Sequence, residues 1–244
     1  MFSAALFIAV NAALAPQATA SPTTPEPPAP DRPITHIVQN LGHDLKRMAT
    51  IHTLKILAGG AAAALSAFGS DVSVDLWTVN NPPSSSTDVG RVVGDGWTMG
   101  GLALGTWGIG ELAHRPLVAH VGSDLIRTQV MNAVLSRGLK IVIDRPRPKG
   151  GGHSFPSGHT SASFATASVL HEHFGWKAAG PAYVAALFVG YTRIRDRAHW
   201  LSDSLFGAAL GVASAHAVTR GHQSQTWSVT PVAMPGGAGL IVRW

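Results

Sequence analysis

The sequence predicts an all-α protein, a helical bundle of about six to seven helices, followed by a short C-terminal β-hairpin. Three observations lead to this fold class. The chain of 244 residues is 45% hydrophobic, which is enough for one sizeable core. Its apolar residues recur at helical spacing in stretches rich in Ala and Gly. Near the C-terminus the pattern changes to short β-type stretches around a Pro-Gly-Gly turn.

Hydrophobic periodicity and helix-stop residues define the helices in order. They are predicted over residues 35–50, 52–69, 97–113, 124–143, 158–174, 179–194 and 199–219. Ser123 is expected to cap the fourth helix, which ends at an Arg-Pro-Arg-Pro stop. Residues 70–95 hold clusters of Asp, Ser, Pro and Asn and predict a long loop.

The two ends of the chain differ from the helical part. Residues 1–20 predict a secretory signal peptide, with an apolar stretch and a small-residue cleavage site. No Lys or Arg precedes the apolar stretch, so an uncleaved apolar anchor is the alternative. Residues 21–33 form a Pro-rich linker. The helical domain is expected over 34–220 and the tail with the hairpin over 221–244.

Net charge and cysteine content limit the kinds of partner and cross-link that we expect for this chain. The net charge is +5, and the chain has no cysteine, so no disulfide can form. A nucleic-acid-binding protein would cluster its basic residues on one face. Here several belong to the blocks described below and the rest are scattered, so no nucleic acid is expected as a partner. The positive balance favours attraction to anionic substrates or to a membrane surface.

Four apolar stretches bear on membrane insertion, at 56–70, 96–110, 178–192 and 204–219. Each charge-free run is shorter than the roughly 18–20 residues that cross a bilayer. We therefore expect an exported periplasmic protein that is soluble or in peripheral contact with a membrane. An inner-membrane protein whose site faces the periplasm is the alternative.

A polar block from Arg193 to Asp203 places His199 and Asp203 four residues apart. On a helix these side chains lie on one face, about one turn apart. We expect Asp203 to accept a hydrogen bond from one ring nitrogen of His199, which leaves the other nitrogen's lone pair for a substrate. This is the logic of a catalytic triad with histidine as the nucleophile.

An earlier block, Pro156-Ser-Gly-His159, has the pattern of a helix start. Ser157 is a candidate N-cap, and Gly158 lets a ligand approach the backbone closely. The N–H groups of a helix N-terminus bind phosphate. His159, in the first turn, is suited to give a proton to a leaving alkoxide and later to take one from water.

Three long cations are expected to complete an anion site: Lys140, Arg147 and Arg193. A transferring phosphoryl group carries its charge on its oxygens, and its transfer depends on positioning and charge stabilisation. Arginine binds such oxygens in bidentate fashion, whereas lysine acts as a point charge. The Arg-Pro-Arg-Pro repeat leaves open whether Arg145 or Arg147 reaches inward.

Together the blocks resemble the signature of the type 2 phosphatidic acid phosphatase superfamily, which includes bacterial acid phosphatases and vanadium haloperoxidases. The pattern is Lys, six residues, Arg-Pro; then Pro-Ser-Gly-His; then Ser-Arg, five residues, His, three residues, Asp. The residues that match it are Lys140, Arg147, Pro148, Pro156, Ser157, Gly158, His159, Arg193, His199 and Asp203. Thr192 stands where the family usually has Ser, a change that keeps the hydroxyl.

The resemblance implies a bundle with its active site at one end and a phosphatase that hydrolyses phosphate monoesters. It implies His199 as the nucleophile that forms a phosphohistidine, Asp203 as its orienter and His159 as the general acid. The residues implied to hold the phosphoryl oxygens are Lys140, Arg147, Ser157, Gly158 and Arg193.

Other functions stay open at this stage: a vanadate-dependent haloperoxidase, or a non-catalytic envelope protein. The substrate is open among lipid phosphates, isoprenoid pyrophosphates and small soluble phosphate esters. The acidic residues do not cluster as a two-metal phosphatase requires, so neither a catalytic metal nor a cofactor is expected. Metal binding by His171 and His173 is disfavoured, because residues two apart on a helix point in different directions.

Overall fold

The computed structural model describes residues 37–82, 86–220, 228–234 and 237–243. The predicted signal peptide and Pro-rich linker lie outside the described residues. Within those residues the chain forms nine α-helices and two strands. They are α1 Ile37–Met48, α2 Ile51–Phe68, α3 Asp71–Asn80, α4 Ser86–Val93, α5 Gly96–Leu112, α6 Pro116–Ile143, α7 Gly158–Phe174, α8 Trp176–Arg195, α9 Leu201–Thr219, β1 Ser228–Met234 and β2 Gly237–Arg243.

The predicted all-α bundle is confirmed, but the described residues hold more helices than the six to seven expected. The difference lies in residues 70–95, where the prediction of a long loop is wrong. Asp71 begins α3 and places a carboxylate at the positive end of that helix. The Pro and Ser residues after Asn80 only separate α3 from α4. Turn-forming residues here mark a break between two short helices.

Two further helix starts differ from the prediction. Helix α6 begins at Pro116, so Ser123 lies buried in the helix interior and is not its cap. Proline suits the first helical position because its missing N–H has no partner to lose there. Helix α9 begins at Leu201, so His199 precedes the helix that was expected to carry it.

The centre of the bundle is formed by α7 and α9, which approach each other closely because both present small residues. At Gly211 a β-carbon would collide with the carbonyl oxygen of Ser161, so glycine is needed at this crossing. The neighbouring buried positions include Ala165, Ala213 and Ala215. Small side chains of this kind let helix backbones pack at short range.

Large apolar side chains cover much of the outer surface. Leu65 on α2, Leu104 on α5 and Leu187 on α8 are each more than half exposed. By length and composition, α2 and α9 could each cross a membrane, and only 17% of the α2 window is buried in the bundle. Helix α2 is longer than the charge-free run within it because it also includes Lys55.

The described backbone of the tail pairs β1 with β2 in antiparallel fashion, with Ser228 opposite Arg243 and Met234 opposite Gly237. Pro231 lies in β1, opposite Leu240. None of the residues that form the candidate site belongs to these strands.

Candidate active site

The three polar blocks converge at one end of the bundle, where α6 and α8 end and α7 and α9 begin. Contacts between distant parts of the sequence fix this convergence. The Lys140 Nζ donates to the carbonyl of Pro156 at 2.7 Å. The backbone N–H of Ser157 donates to the Asp203 carbonyl at 3.0 Å. The site is therefore built on four helix ends and the loop over 144–157.

Lys140 lies in the last turn of α6 and holds this loop by its ammonium group. Besides Pro156, its Nζ contacts the carbonyls of His153 at 2.9 Å and Ser154 at 3.4 Å. Burial, together with the positive charge of Arg147, lowers the pKa of Lys140 to about 8. The side chain thus remains mainly charged at neutral pH and orders the loop while contributing positive potential.

Arg147 and Arg193 bring two guanidinium groups to the same region. The Arg147 Nε donates to the Gly152 carbonyl at 3.1 Å. The Arg193 Nη1 donates to Asp196 at 2.9 Å, while its buried Nε has no hydrogen-bond partner among the described residues. Burial lowers the pKa of Arg193, and the charge of Arg147 acts in the same direction. A buried donor without an acceptor suits an anionic ligand.

The N-terminus of α7 lies beside these cations. Ser157 is the N-cap residue, and its hydroxyl is hydrogen-bonded to that of Thr160 at 2.8 Å. At Gly158 an added β-carbon would meet nothing nearer than the Ser136 hydroxyl oxygen, at 3.7 Å. Gly158 thus brings the first turn of α7, with its N–H groups, close to the Lys140 side chain, whose Cε would lie 4.0 Å from the added β-carbon.

His159 is the second residue of α7, and its side chain is 26% exposed. Its Nε2 lies 3.7 Å from the Asp95 Oδ1. Burial and then the charge of Arg193 lower the pKa of His159 to about 4, with Asp95 acting in the opposite direction. Asp95 does not stand out in the sequence. Its only signal there was its position as the N-cap of α5.

His199 is 4% exposed and is oriented differently from the prediction. Its Nδ1 is 2.6 Å from the Ser154 carbonyl and 3.9 Å from the Asp203 Oδ2. The expected hydrogen bond to Asp203 is too long to exist, because His199 lies outside the helix. A carbonyl can only accept, so Nδ1 carries the proton and Nε2 keeps its lone pair. Burial, reinforced by Lys140, lowers the pKa of His199.

Asp203 is fully buried, and both of its carboxylate oxygens have donors other than His199. The Arg145 Nη1 donates to Oδ1 at 2.6 Å. The Ser154 hydroxyl and the Trp200 N–H, the latter at 3.0 Å, donate to Oδ2. The carboxylate thus fixes the loop whose carbonyl orients His199, so its influence on the imidazole is partly indirect.

A second buried carboxylate, Asp71, extends this network. The Arg145 Nη2 donates to the Asp71 Oδ2 at 2.7 Å. Asp71 also accepts from the Ser202 N–H at 3.0 Å and from the Ser202 hydroxyl at 2.6 Å. Of the two candidate arginines, Arg145 therefore pairs with carboxylates. The sequence analysis did not find Asp71, because it had assigned this segment to a loop.

An apolar cavity of about 290 Å³ opens beside this network. Its walls include Leu65 and Phe68 from α2 and Phe206 from α9, and Arg145 lies at its polar end. The guanidinium of Arg145 stacks over the Phe68 ring at 4.8 Å. The cavity thus connects the apolar outer surface of the bundle with the polar network around Asp203.

Comparison with known proteins finds a family whose model covers the second and third polar blocks. Residues 149–227 match the model of the PAP2 superfamily. The lipid A 1-phosphatase of Porphyromonas gingivalis is 38% identical over 96 residues, which are 37% of this chain and 21% of that protein. The chain thus aligns with about a fifth of the length of that relative. A transmembrane PAP2-type phosphatidylglycerolphosphate phosphatase from Bacillus subtilis aligns over 79% of this chain and 96% of that one, with 18% identity and a TM-score of 0.36.

Proposed function

Because residues 149–227 match the model of the PAP2 superfamily, we propose that the chain is a member of this superfamily and a phosphoric monoester hydrolase that acts on lipid phosphates through a phosphohistidine intermediate. The observation that carries this proposal is the orientation of His199. Its Nδ1 proton is held by the Ser154 carbonyl, and its Nε2 lone pair is left for a substrate. The lowered pKa of the buried His199 keeps the ring neutral and nucleophilic at physiological pH.

In the first step the His199 Nε2 forms a bond to phosphorus while the bond from phosphorus to the ester oxygen breaks. The leaving oxygen takes a proton from His159. In free enzyme the pKa of His159 is about 4, because burial and nearby cations disfavour its charged form. A bound phosphate dianion offsets those cations and raises the proton affinity of the ring.

In the second step a water molecule attacks the phosphorus of the phosphohistidine. Its proton passes to His159, the N–P bond breaks, and inorganic phosphate departs. His199 and His159 return to their starting protonation states, so the cycle is balanced without any other reactant.

The developing charge on the phosphoryl oxygens is proposed to be met by protein groups alone. The unpartnered Nε of Arg193 is the best-defined donor, and Arg147 and Lys140 add positive potential. The N–H groups of the first turn of α7, from Gly158 onward, complete the set, whereas the Ser157 N–H is already donated to the Asp203 carbonyl. Because these groups perform the task of a metal, we expect turnover to continue when metal ions are chelated.

The apolar cavity beside Arg145 favours a lipid over a small soluble ester. A hydrocarbon chain in contact with Leu65, Phe68 and Phe206 would place its polar end toward the site. The relative from Porphyromonas gingivalis bears the name lipid A 1-phosphatase, which agrees with a phosphorylated lipid as substrate.

The same substrate class favours the inner-membrane alternative, a bundle embedded in a membrane, over the soluble or peripherally attached periplasmic protein expected from the sequence. Helix α2 has the length and composition of a membrane span and exposes most of its surface. The exposed leucines of α5 and α8 extend the apolar surface around the bundle. A substrate chain could then enter the cavity sideways from the lipid phase.

Phosphate release by the purified chain in detergent tests the proposal. The panel contains phosphatidic acid, an isoprenoid pyrophosphate, a lipid A phosphate and p-nitrophenyl phosphate, each with and without EDTA. We expect hydrolysis of lipid phosphates that EDTA leaves intact, a trapped phosphohistidine after acid-free quenching, and no activity in His199→Ala. Loss of activity in EDTA would contradict the metal-free mechanism, and preference for the soluble ester would contradict the lipid assignment.

A further inference from the structure

A second histidine–carboxylate cluster lies at the other end of α6 and α7. His120 and Asp124 belong to the first turns of α6, and His173 belongs to the last turn of α7. Asp124 and Lys140 lie on the same helix, about 24 Å apart at about 1.5 Å per residue. The cluster is therefore separate from the candidate active site, and the proposed phosphatase mechanism makes no use of it.

Both imidazoles direct the same ring nitrogen at one carboxylate oxygen. The His173 Nε2 lies 2.9 Å from the Asp124 Oδ2, and the His120 Nε2 lies 3.7 Å from it. The three ligand atoms all lie within 4.8 Å of one another. The two rings stand nearly perpendicular, at 81°, with centroids 5.2 Å apart.

These distances fit a small divalent ion. With bonds of about 2.0–2.1 Å, the ligand atoms of a tetrahedral zinc site are separated by about 3.3–3.4 Å. Moving His173 slightly away from Asp124, and His120 slightly toward it, would reach that spacing to the carboxylate oxygen. The two imidazole nitrogens, which lie within 4.8 Å of each other, would have to be brought to the same spacing by small side-chain rotations. Two imidazoles and one carboxylate are ligands that suit Zn²⁺ and its neighbours in the first transition series, and a water molecule can take the fourth position.

The carboxylate is also held in the orientation that a metal requires. The Arg127 Nη1 donates to the Asp124 Oδ1 at 3.0 Å, which directs Oδ2 to the two imidazoles. Arg127 is itself fixed by Asp44, whose Oδ2 accepts from Nε at 3.0 Å and from Nη2 at 2.7 Å. The negative charge of Asp44 compensates the positive charge of Arg127. The guanidinium can therefore orient the Asp124 carboxylate without repelling a bound metal cation. Such outer partners tune metal sites.

We propose that His120, Asp124 and His173 bind a divalent transition metal ion of the Zn²⁺ type and thereby join the start of α6 to the end of α7. The side chains of His120 and His173 are 21% and 12% exposed, whereas that of Asp124 is fully buried. An ion would therefore enter from the histidine side. The spacing argument against a site made of His171 and His173 still holds, because the partners of His173 come from another helix.

Calorimetric titration of the EDTA-treated chain with ZnCl₂ tests the proposal, together with thermal unfolding. We expect one Zn²⁺ per chain and a higher Tm with zinc. In the double variant His120→Gln/His173→Gln, zinc affinity should fall at least about 100-fold, and zinc should no longer raise Tm. His171→Gln is the matched control, because it removes a histidine two residues from His173 and should bind zinc as the parent does.

Co²⁺ binding to the parent chain gives a second readout that needs no variant to fold. A tetrahedral site with nitrogen and oxygen ligands should give visible absorption bands that one equivalent of Zn²⁺ abolishes. Absence of zinc binding in the parent, or equal binding in the parent and the double variant, would overturn the proposal and reduce the cluster to a hydrogen-bond network. Neither result bears on phosphate release.

Discussion

Each end of the bundle contains an arginine that joins two carboxylates, with a histidine next to the second carboxylate. The surroundings of the two arrangements differ. At the candidate active site, Arg145 links the carboxylates of Asp71 and Asp203, and His199 lies next to Asp203. At the opposite end, Arg127 links Asp44 and Asp124, and His173 lies next to Asp124. Each arginine holds one oxygen of the second carboxylate, and a histidine faces the other oxygen.

What differs is the use of the histidine nitrogens. At the active site, Ser154 and a backbone N–H occupy the carboxylate oxygen, so His199 is held by a carbonyl through Nδ1 and its Nε2 is available. At the other end the Nε2 of His173 points directly at Asp124. The first arrangement suits a nucleophile, and the second suits ion pairing or metal binding. The occupancy of one carboxylate oxygen thus separates the two chemistries.

The largest change in activity is expected when each of the two histidines is replaced in turn, which tests the difference between the two ends. His199→Ala should lower kcat/KM for phosphate release by at least about 10³-fold, because the proposed nucleophile is lost. His173→Ala should change it by less than about twofold, because its cluster is remote from the site. Both rates are measured on folded protein, as checked by circular dichroism. Comparable losses in the two variants would mean that the two ends do not differ in this way.

The next effect compares the two arginines. Arg127→Met removes the buried guanidinium that the fully buried carboxylates of Asp44 and Asp124 share, and we expect the free energy of unfolding to fall by about 3–5 kcal/mol. Arg145 is 18% exposed, so solvent can partly replace it and Arg145→Met should cost less stability. Its effect should instead appear in kcat, with a loss of about 10- to 100-fold, because Asp203 and the loop it fixes move.

Denaturant unfolding and phosphate release on the same samples separate the two outcomes. Arg137→Met is a control, because it removes a cation from α6 but leaves both arginine–carboxylate arrangements intact. If Arg145→Met proves as destabilising as Arg127→Met while the surviving folded enzyme keeps its kcat, Arg145 has no influence on the position of the nucleophile.

The same residues show which features of the fold and the candidate site could be predicted from the sequence and which could not. The three blocks have fixed spacings, and the helices around them have apolar periodicity, so both could be found in the sequence alone. Asp71 and Asp44 could not, because their relation to Arg145 and Arg127 exists only after helices distant in sequence have packed. The carbonyl partner of His199 was equally hidden, since every residue has a backbone carbonyl and the choice depends on the path of a loop. The apolar exterior was underestimated because charge-free runs are shorter than the helices that contain them.

The pH dependence of activity tests a third carboxylate–histidine pair, that of Asp95 and His159. If His159 acts as the acid, kcat/KM falls about tenfold per pH unit above its pKa in free enzyme, which is about 4. The negative charge of Asp95 raises this pKa, so Asp95→Asn should lower it and move the falling limb to lower pH. Asparagine also caps helices well, so α5 should be retained.

The pH profile of kcat/KM between pH 3 and 8 measures this shift. At a fixed pH of about 6, the variant should be slower by up to about tenfold for each unit of pKa lost. Asp88→Asn is the matched control, since Asp88 is an exposed acid that pairs with Arg91 on α4. An unshifted profile in Asp95→Asn would assign the proton transfer to a group other than His159.

The smallest effect concerns Ser154, which bridges Asp203 and His199 by two different atoms. Its hydroxyl donates to Asp203, whereas its backbone carbonyl accepts from His199. Ser154→Ala removes only the hydroxyl, so the tautomer of His199 should persist and kcat should fall by about 3- to 10-fold as the loop loosens. No side-chain substitution removes the backbone carbonyl, so Ser154→Ala tests the hydroxyl alone. A loss as large as that of His199→Ala would instead mean that the hydrogen bond between Ser154 and Asp203 controls the imidazole as strongly as the Ser154 carbonyl does, and the distinction between the two ends of the bundle would disappear.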